Sequence, residues 1–205
     1  MKKLLSIVTL LGALSGAASA APYYSAVPAG GDLTPYDMQP VYSIEGLYTT
    51  VDGDPDFDMY GFRVAFSMYS NGSDTVRHQF GLALAPQWGS LDVCWGGHTD
   101  SPDVLALPAT IGYDLNIALC DSVLFYMGGK VGYTWVDIDT DWGDVRGGGF
   151  NWSVGAGFKF QCSQDVYVQA GYEFGRTYLK YGDFEGMPGS VIGAHTISVG
   201  VGCTF

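Results

Sequence analysis

Between residues 150 and 161 the chain reads FNWSVGAGFKFQ, and every second residue is apolar. Phe150, Trp152, Val154, Ala156, Phe158 and Phe160 fall on one phase; Asn151, Ser153, Gly155, Gly157, Lys159 and Gln161 fall on the other. A helix repeats its faces near every 3.6 residues, so strict alternation over this length dictates an extended strand. The same pattern predicts strands over 41–51, 58–70, 76–88, 104–119, 123–136, 166–178 and 194–205, eight with the first. No stretch carries a convincing helical period. The predicted connections alternate in length. Those at 71–75, 120–122 and 162–165 are short, and those at 89–103, 137–149 and 179–193 are long. Only 52–57 is short on the long side. Such wiring is that of an antiparallel meander closing into an up-and-down barrel.

Volume decides which phase turns inward. One carries large side chains, among them Tyr60, Phe66, Phe80, Tyr133, Trp135, Trp152 and Phe158. The other carries Gly61, Gly81, Gly112, Gly128, Gly155, Gly171 and Gly200. An eight-stranded barrel has an interior only wide enough for side chains to fill it. The rings therefore point out and the glycines in, and the solvent for the rings is lipid. Closure gives every backbone polar group a partner, as lipid requires. A secreted β-sandwich is the rival architecture, but its polar face would favour Lys, Glu and Thr over glycine.

Composition narrows the classes further. Charged residues make up 15% of the chain, against about 25% in soluble domains. The net charge of −12 argues against nucleic acid as a partner, because phosphate binding needs clustered Lys and Arg. The aromatic content of 15% argues against disorder. Residues 1–20 read as a signal peptide: Lys2-Lys3, an apolar run from Leu4 to Leu14, and Ala18-Ser19-Ala20 as the cleavage site. After them no predominantly apolar run reaches the roughly 18 residues of a membrane helix. Residues 21–40 lack a period and hold Pro28, Pro35, Pro40 and Gly30-Gly31, which predicts a linker or arm before a barrel at 41–205.

In the last predicted strand Ile197, Val199, Val201, Cys203 and Phe205 alternate with Thr196, Ser198, Gly200, Gly202 and Thr204, so the chain ends on an aromatic of the lipid phase. With the signal peptide and the alternating strands, residues 41–205 resemble the small outer-membrane β-barrel families, of the OmpA-like transmembrane domain and opacity-protein kind. The resemblance implies an all-β, eight-stranded antiparallel transmembrane barrel in a Gram-negative-type cell outer membrane. It implies contact with outer-membrane lipid and lipopolysaccharide, short turns on the periplasmic side, and Phe205 as a signal read by the barrel-assembly machinery. It does not imply one activity, because fold does not fix function.

The inward phase carries six charges: Glu45, Arg63, Asp114, Lys130, Lys159 and Glu173. All but Lys159 are predicted near mid-height. An unpartnered buried charge costs several kcal/mol, roughly, so three acids and three bases are expected to form an interior charge network. It is either a static polar core or, as OmpA-like barrels suggest, a gate that swaps partners. Asp52, Asp54, Asp56 and Asp58, and Asp137, Asp139, Asp141 and Asp144, crowd two connections. The EF-hand spacing fails because Trp142 follows Asp141 and Gly143 comes one place late. These read as solvated acids, with no metal or cofactor; a cation bridge from Asp137 and Asp139 to lipopolysaccharide phosphates is a lesser reading. Cys94, Cys120, Cys162 and Cys203 allow three pairings, and free thiols are favoured. A Cys120–Cys162 bridge would have to cross about 10 Å, beyond ordinary reach. Some barrels of this size modify lipid A through a His and a Ser. Here His195 and Ser198 are three apart and face opposite sides, so no catalytic group is expected. Trp95, Trp142, Phe184 and Met187 sit in the predicted long loops as contacts for an extracellular protein or glycan. The expected role is structural or surface-adhesive. A narrow, gated pore for ions or small solutes is the alternative, with a lipid-modifying enzyme below it.

Overall fold

A computed structural model describes residues 38–52, 56–71, 75–91, 93–95, 98–140, 143–163, 165–181 and 190–204. The strands are β1 (Gln39–Asp52), β2 (Phe57–Asn71), β3 (Val76–Leu84), β4 (Gln87–Ser90), β5 (Val93–Trp95), β6 (His98–Asp100), β7 (Asp103–Cys120), β8 (Val123–Thr140), β9 (Gly143–Gln161), β10 (Val166–Tyr181) and β11 (Ser190–Thr204). β3 and β4 are two halves of one stave, and β5–β6 is a small separate hairpin. The remaining strands pair antiparallel with their sequence neighbours, and β1 pairs with both β2 and β11. The result is an eight-stave antiparallel barrel with no free edge. Val41 lies opposite Thr204 at one end, here called the near end. The β7–β8 turn at Asp121 and Ser122 is also there, and a register shift between Ala118 and Cys120 precedes it.

The outward phase is apolar along every stave. Leu82 is 59% exposed, Ile111 57%, Phe80 53% and Trp135 51%. Rings pair across strands, as in Tyr42–Phe66 at 5.0 Å and Phe80–Tyr113 at 4.9 Å between centroids. The inward phase shows why glycine is needed there. The Tyr126 ring lies over Gly157 and Gly171, and the Tyr167 ring lies over Gly202, where a Cβ would collide with each ring.

The structure departs from the sequence-based strand limits in five places. β1 begins at Gln39, two residues inside the predicted arm; the signal segment and the rest of the arm lie outside the described residues. The predicted strand 76–88 is interrupted at Ala85 and Pro86, because proline has no N–H to give the ladder. Register survives the break: Val64 faces Leu84 on one side of it and Gly61 faces Gln87 on the other. Phe62 N donates to Pro86 O at 3.2 Å and Ala85 N to Pro108 O at 3.0 Å, so the wall stays stitched. The predicted loop 137–149 is mostly ladder, with Asp137 opposite Arg146 and Thr140 opposite Gly143. The predicted loop 179–193 is shortened from both sides by β10 and β11, and 89–103 contains the β5–β6 hairpin.

Candidate functional site

The lumen is built in three layers. At mid-height Glu45 and Arg63 are direct cross-strand partners on β1 and β2, and Arg63 Nη1 donates to Glu45 Oε2 at 3.3 Å. Arg63 Nη2 crosses the lumen to Glu173 Oε2 on β10 at 3.0 Å. The same Oε2 accepts from Lys130 Nζ of β8. Four of the six inward charges thus form one chain, Glu45–Arg63–Glu173–Lys130.

The other two stand apart, a correction to a single network of six. Asp114 forms no ion pair among the described residues. It faces Gly128, whereas Lys130 faces Gly112 one step further from the near end and extends to Glu173. Lys159 lies in the near-end layer, 2% exposed, and meets no carboxylate within ion-pair range among the described residues. Its Nζ donates to Gln79 Oε1 at 2.6 Å, Asn116 Oδ1 at 2.7 Å and Tyr69 Oη at 3.0 Å. Three donors meet three neutral acceptors. The ring centroids of Tyr126, Tyr69 and Tyr167 stand 5.0, 5.3 and 5.4 Å from the ammonium, within the range of cation–π attraction.

Beyond the ion pairs, away from the near end, the inward polar groups satisfy one another. Thr49 Oγ1 donates to Gln87 Oε1 at 2.6 Å and lies 2.9 Å from Thr196 Oγ1. Asn151 Nδ2 donates to Thr134 Oγ1 at 2.6 Å. Further out, Val51, Met59, Val104 and Ala106 form a buried apolar cluster.

On the outer wall the structure assembles a group that spacing did not reveal. His195 Nε2 donates to Asp52 Oδ2 at 3.2 Å, and with that tautomer Nδ1 accepts from Tyr172 Oη at 2.5 Å. Ser198 is inward and buried. Thr50 faces His195 across the β1–β11 ladder but gives its hydroxyl to Asp58 at 3.1 Å. Among the described residues no serine, threonine or cysteine side chain bonds to the histidine. All three members lie on the outward phase, which alternation showed; their diagonal contact depends on register, which it did not.

At the far rim Asp103, Asp139 and Asp144 face one another in a row across β7, β8 and β9. Arg146 lies 3.5 Å from both Asp137 and Asp144. No group of three or more metal-ligating residues gathers among the described residues; Asp54 and Asp141 lie outside them. Of the predicted loop contacts, Trp95 is on β5 opposite His98, while Trp142, Phe184 and Met187, like Phe205, lie outside the described residues.

Cys120, Cys162 and Cys203 are free thiols. At the near-end turn the backbone N–H and hydroxyl of Ser122 draw the Cys120 thiol below its ordinary pKa. More thiolate is then present at neutral pH, so a maleimide should alkylate Cys120 readily. Ser122→Ala should slow that alkylation near neutral pH but not above the thiol's ordinary pKa, where the thiolate dominates regardless. Mass spectrometry of the labelled peptide measures the rate; an unchanged neutral-pH rate excludes a contribution from the hydroxyl.

The family described as outer membrane protein beta-barrel domain matches residues 6–205. No curated protein matches the chain. Among solved structures, Neisserial surface protein A is similar with a TM-score of 0.55 and 13% identity, covering 81% of this chain and 97% of its own. OprG of Pseudomonas aeruginosa has a TM-score of 0.55 and 14% identity, covering 82% of this chain and 95% of its own. Ail, the attachment invasion locus protein of Yersinia pestis, was solved with the heparin analogue sucrose octasulfate; it has a TM-score of 0.51 and 16% identity, covering 82% of this chain and 99% of its own. At these identities the likeness is one of fold. The closed ring, its apolar outer face and the match over nearly the whole sequence agree: the chain belongs to the outer membrane protein beta-barrel domain family and is an integral β-barrel of the outer membrane.

Proposed function

We propose that this barrel is a closed membrane anchor that presents its far-end connections at the cell surface, with a structural or adhesive role and no catalysis. The observation that carries the reading is the double obstruction of the lumen. A solute must part the Arg63–Glu173 bridge and then pass Lys159, whose three donors are all engaged. The outward rings contact lipid and lipopolysaccharide acyl chains, and Phe205 serves the barrel-assembly machinery as its signal. Trp95, Trp142, Phe184 and Met187 are the surface contacts for a protein or glycan. The partner's charge follows from the rim. Asp52, Asp58, Asp103, Asp137, Asp139 and Asp144 make it acidic, so it repels a polyanion such as the ligand solved with Ail and favours a cationic or neutral surface.

Purified protein in a planar bilayer is expected to show no steady conductance, and cells bearing it should bind a polycationic surface in a salt-sensitive way. Steady ohmic current would overturn the closed-anchor reading. A gated pore is the second reading, favoured by one observation: Glu173 Oε2 serves both Arg63 and Lys130, so one bridge can part without orphaning the carboxylate. That reading predicts rare openings whose frequency changes in Lys130→Ala.

A further inference from the structure

The far half of the lumen has a lining unlike that of an ordinary barrel interior, which is polar. Above the Arg63–Glu173 bridge lies a cavity of about 210 Å³. Val51, Met59, Val104 and Ala106 wall it, and Val136 and Ile192 pack against them. Most of the polar groups around it are committed: Thr49, Gln87 and Thr196 to one another, Asn151 to Thr134, and Arg63 to Glu173; Thr110, Arg176 and Thr177 also line it. The continuous wall at its centre is apolar, as a site for an apolar group requires. An enclosed apolar cavity of about 150 Å³ stays dry and binds benzene in another protein, so this one has room for a single ring or a short alkyl chain.

We infer that this cavity is a binding site for a small uncharged hydrocarbon group, either a free solute of single-ring size or the end of a lipid acyl chain. The ion pair closes the floor, so the occupant enters and leaves on the far side. The site is a receptor pocket, and it holds whether or not the loops are adhesive.

The test uses the full chain with ¹³C-methyl methionine in phospholipid nanodiscs, titrated with benzene. Met59 reports the cavity, while Met127, which is 45% exposed on the outer wall, reports benzene dissolved in lipid. The Met59 methyl should shift saturably and Met127 only in proportion to dissolved benzene. Ala106→Phe, which fills the cavity, should abolish the Met59 response; Ala106→Leu serves the same purpose if the larger ring prevents folding. Two arms distinguish the sources. Cross-peaks from acyl methylenes to the Met59 methyl before benzene is added, lost in the filled variant, identify a lipid tail. A saturable benzene shift without such cross-peaks identifies a free solute. If neither signal appears at Met59, or if the response survives both Ala106→Phe and Val104→Phe, the inference is overturned. A cavity filled by the chain's own side chains gives that negative result.

Discussion

Arg63→Ala is expected to destabilise the folded barrel by about 3–5 kcal/mol, the range for removing one partner of a buried pair. Among the described residues Arg63 is the only bridge between Glu45 and Glu173. Without it Glu45, whose side chain is 5% exposed, is left as an uncompensated carboxylate. Glu173 keeps Lys130. Lys130→Ala should therefore cost less, about 1.5–3 kcal/mol for a charged hydrogen bond, because Glu173 retains Arg63. Combining Arg63→Ala with Glu45→Gln should recover part of the loss, since the orphaned charge goes with the second change. Urea titrations of the four proteins folded into lipid vesicles complete the cycle. Strict additivity would show that Arg63 and Glu45 do not act as a pair.

The second large effect is on the outer wall. Val154 is 51% exposed on the lipid phase. It neighbours Ser153, which pairs with Lys130, and so lies at the height of the ion pairs. Val154→Arg should cost about 2–4 kcal/mol, the penalty for a cation on the lipid face near the midplane. Phe158→Arg, closer to the near end, should cost less because its guanidinium can reach the interface. The same urea titrations rank the two. A neutral Val154→Arg would contradict a lipid-facing wall.

The strands were legible because two solvents act on them at once. Lipid selects large apolar side chains on one phase, and a narrow lumen selects small or polar ones on the other. Residues 137–149 escaped this reading for a physical reason. Gly147, Gly148 and Gly149 look like turn residues, yet all three are paired on both sides. Two of them are small because the ladder crowds them: a Cβ on Gly148 would meet the Tyr133 ring, and one on Gly149 would meet the Tyr178 carbonyl. Pro86 was visible, but its effect on the ladder needed the neighbouring strands. For the charges, alternation revealed the face and not the partner. Arg63 and Glu173 are 110 residues apart and meet only across the closed lumen, at heights set by strand stagger. The His195 contacts to Asp52 and Tyr172 were hidden in the same way, since diagonal neighbours follow from register alone.

The tyrosine-lined seat of Lys159 bears on how the barrel forms. Lys159 comes from β9, but the groups that hold it come from β2 (Tyr69), β3 (Gln79), β7 (Asn116), β8 (Tyr126) and β10 (Tyr167). A partly rolled sheet can offer only some of them, and then the ammonium remains hydrated. Its stabilisation arrives when the staves have nearly met, so the last step of closure gains most from it. An opening between any two of these staves loses several contacts together. Lys159 thereby couples early and late strands into one cooperative transition, and a barrel lacking that side chain should unfold over a broader range of denaturant.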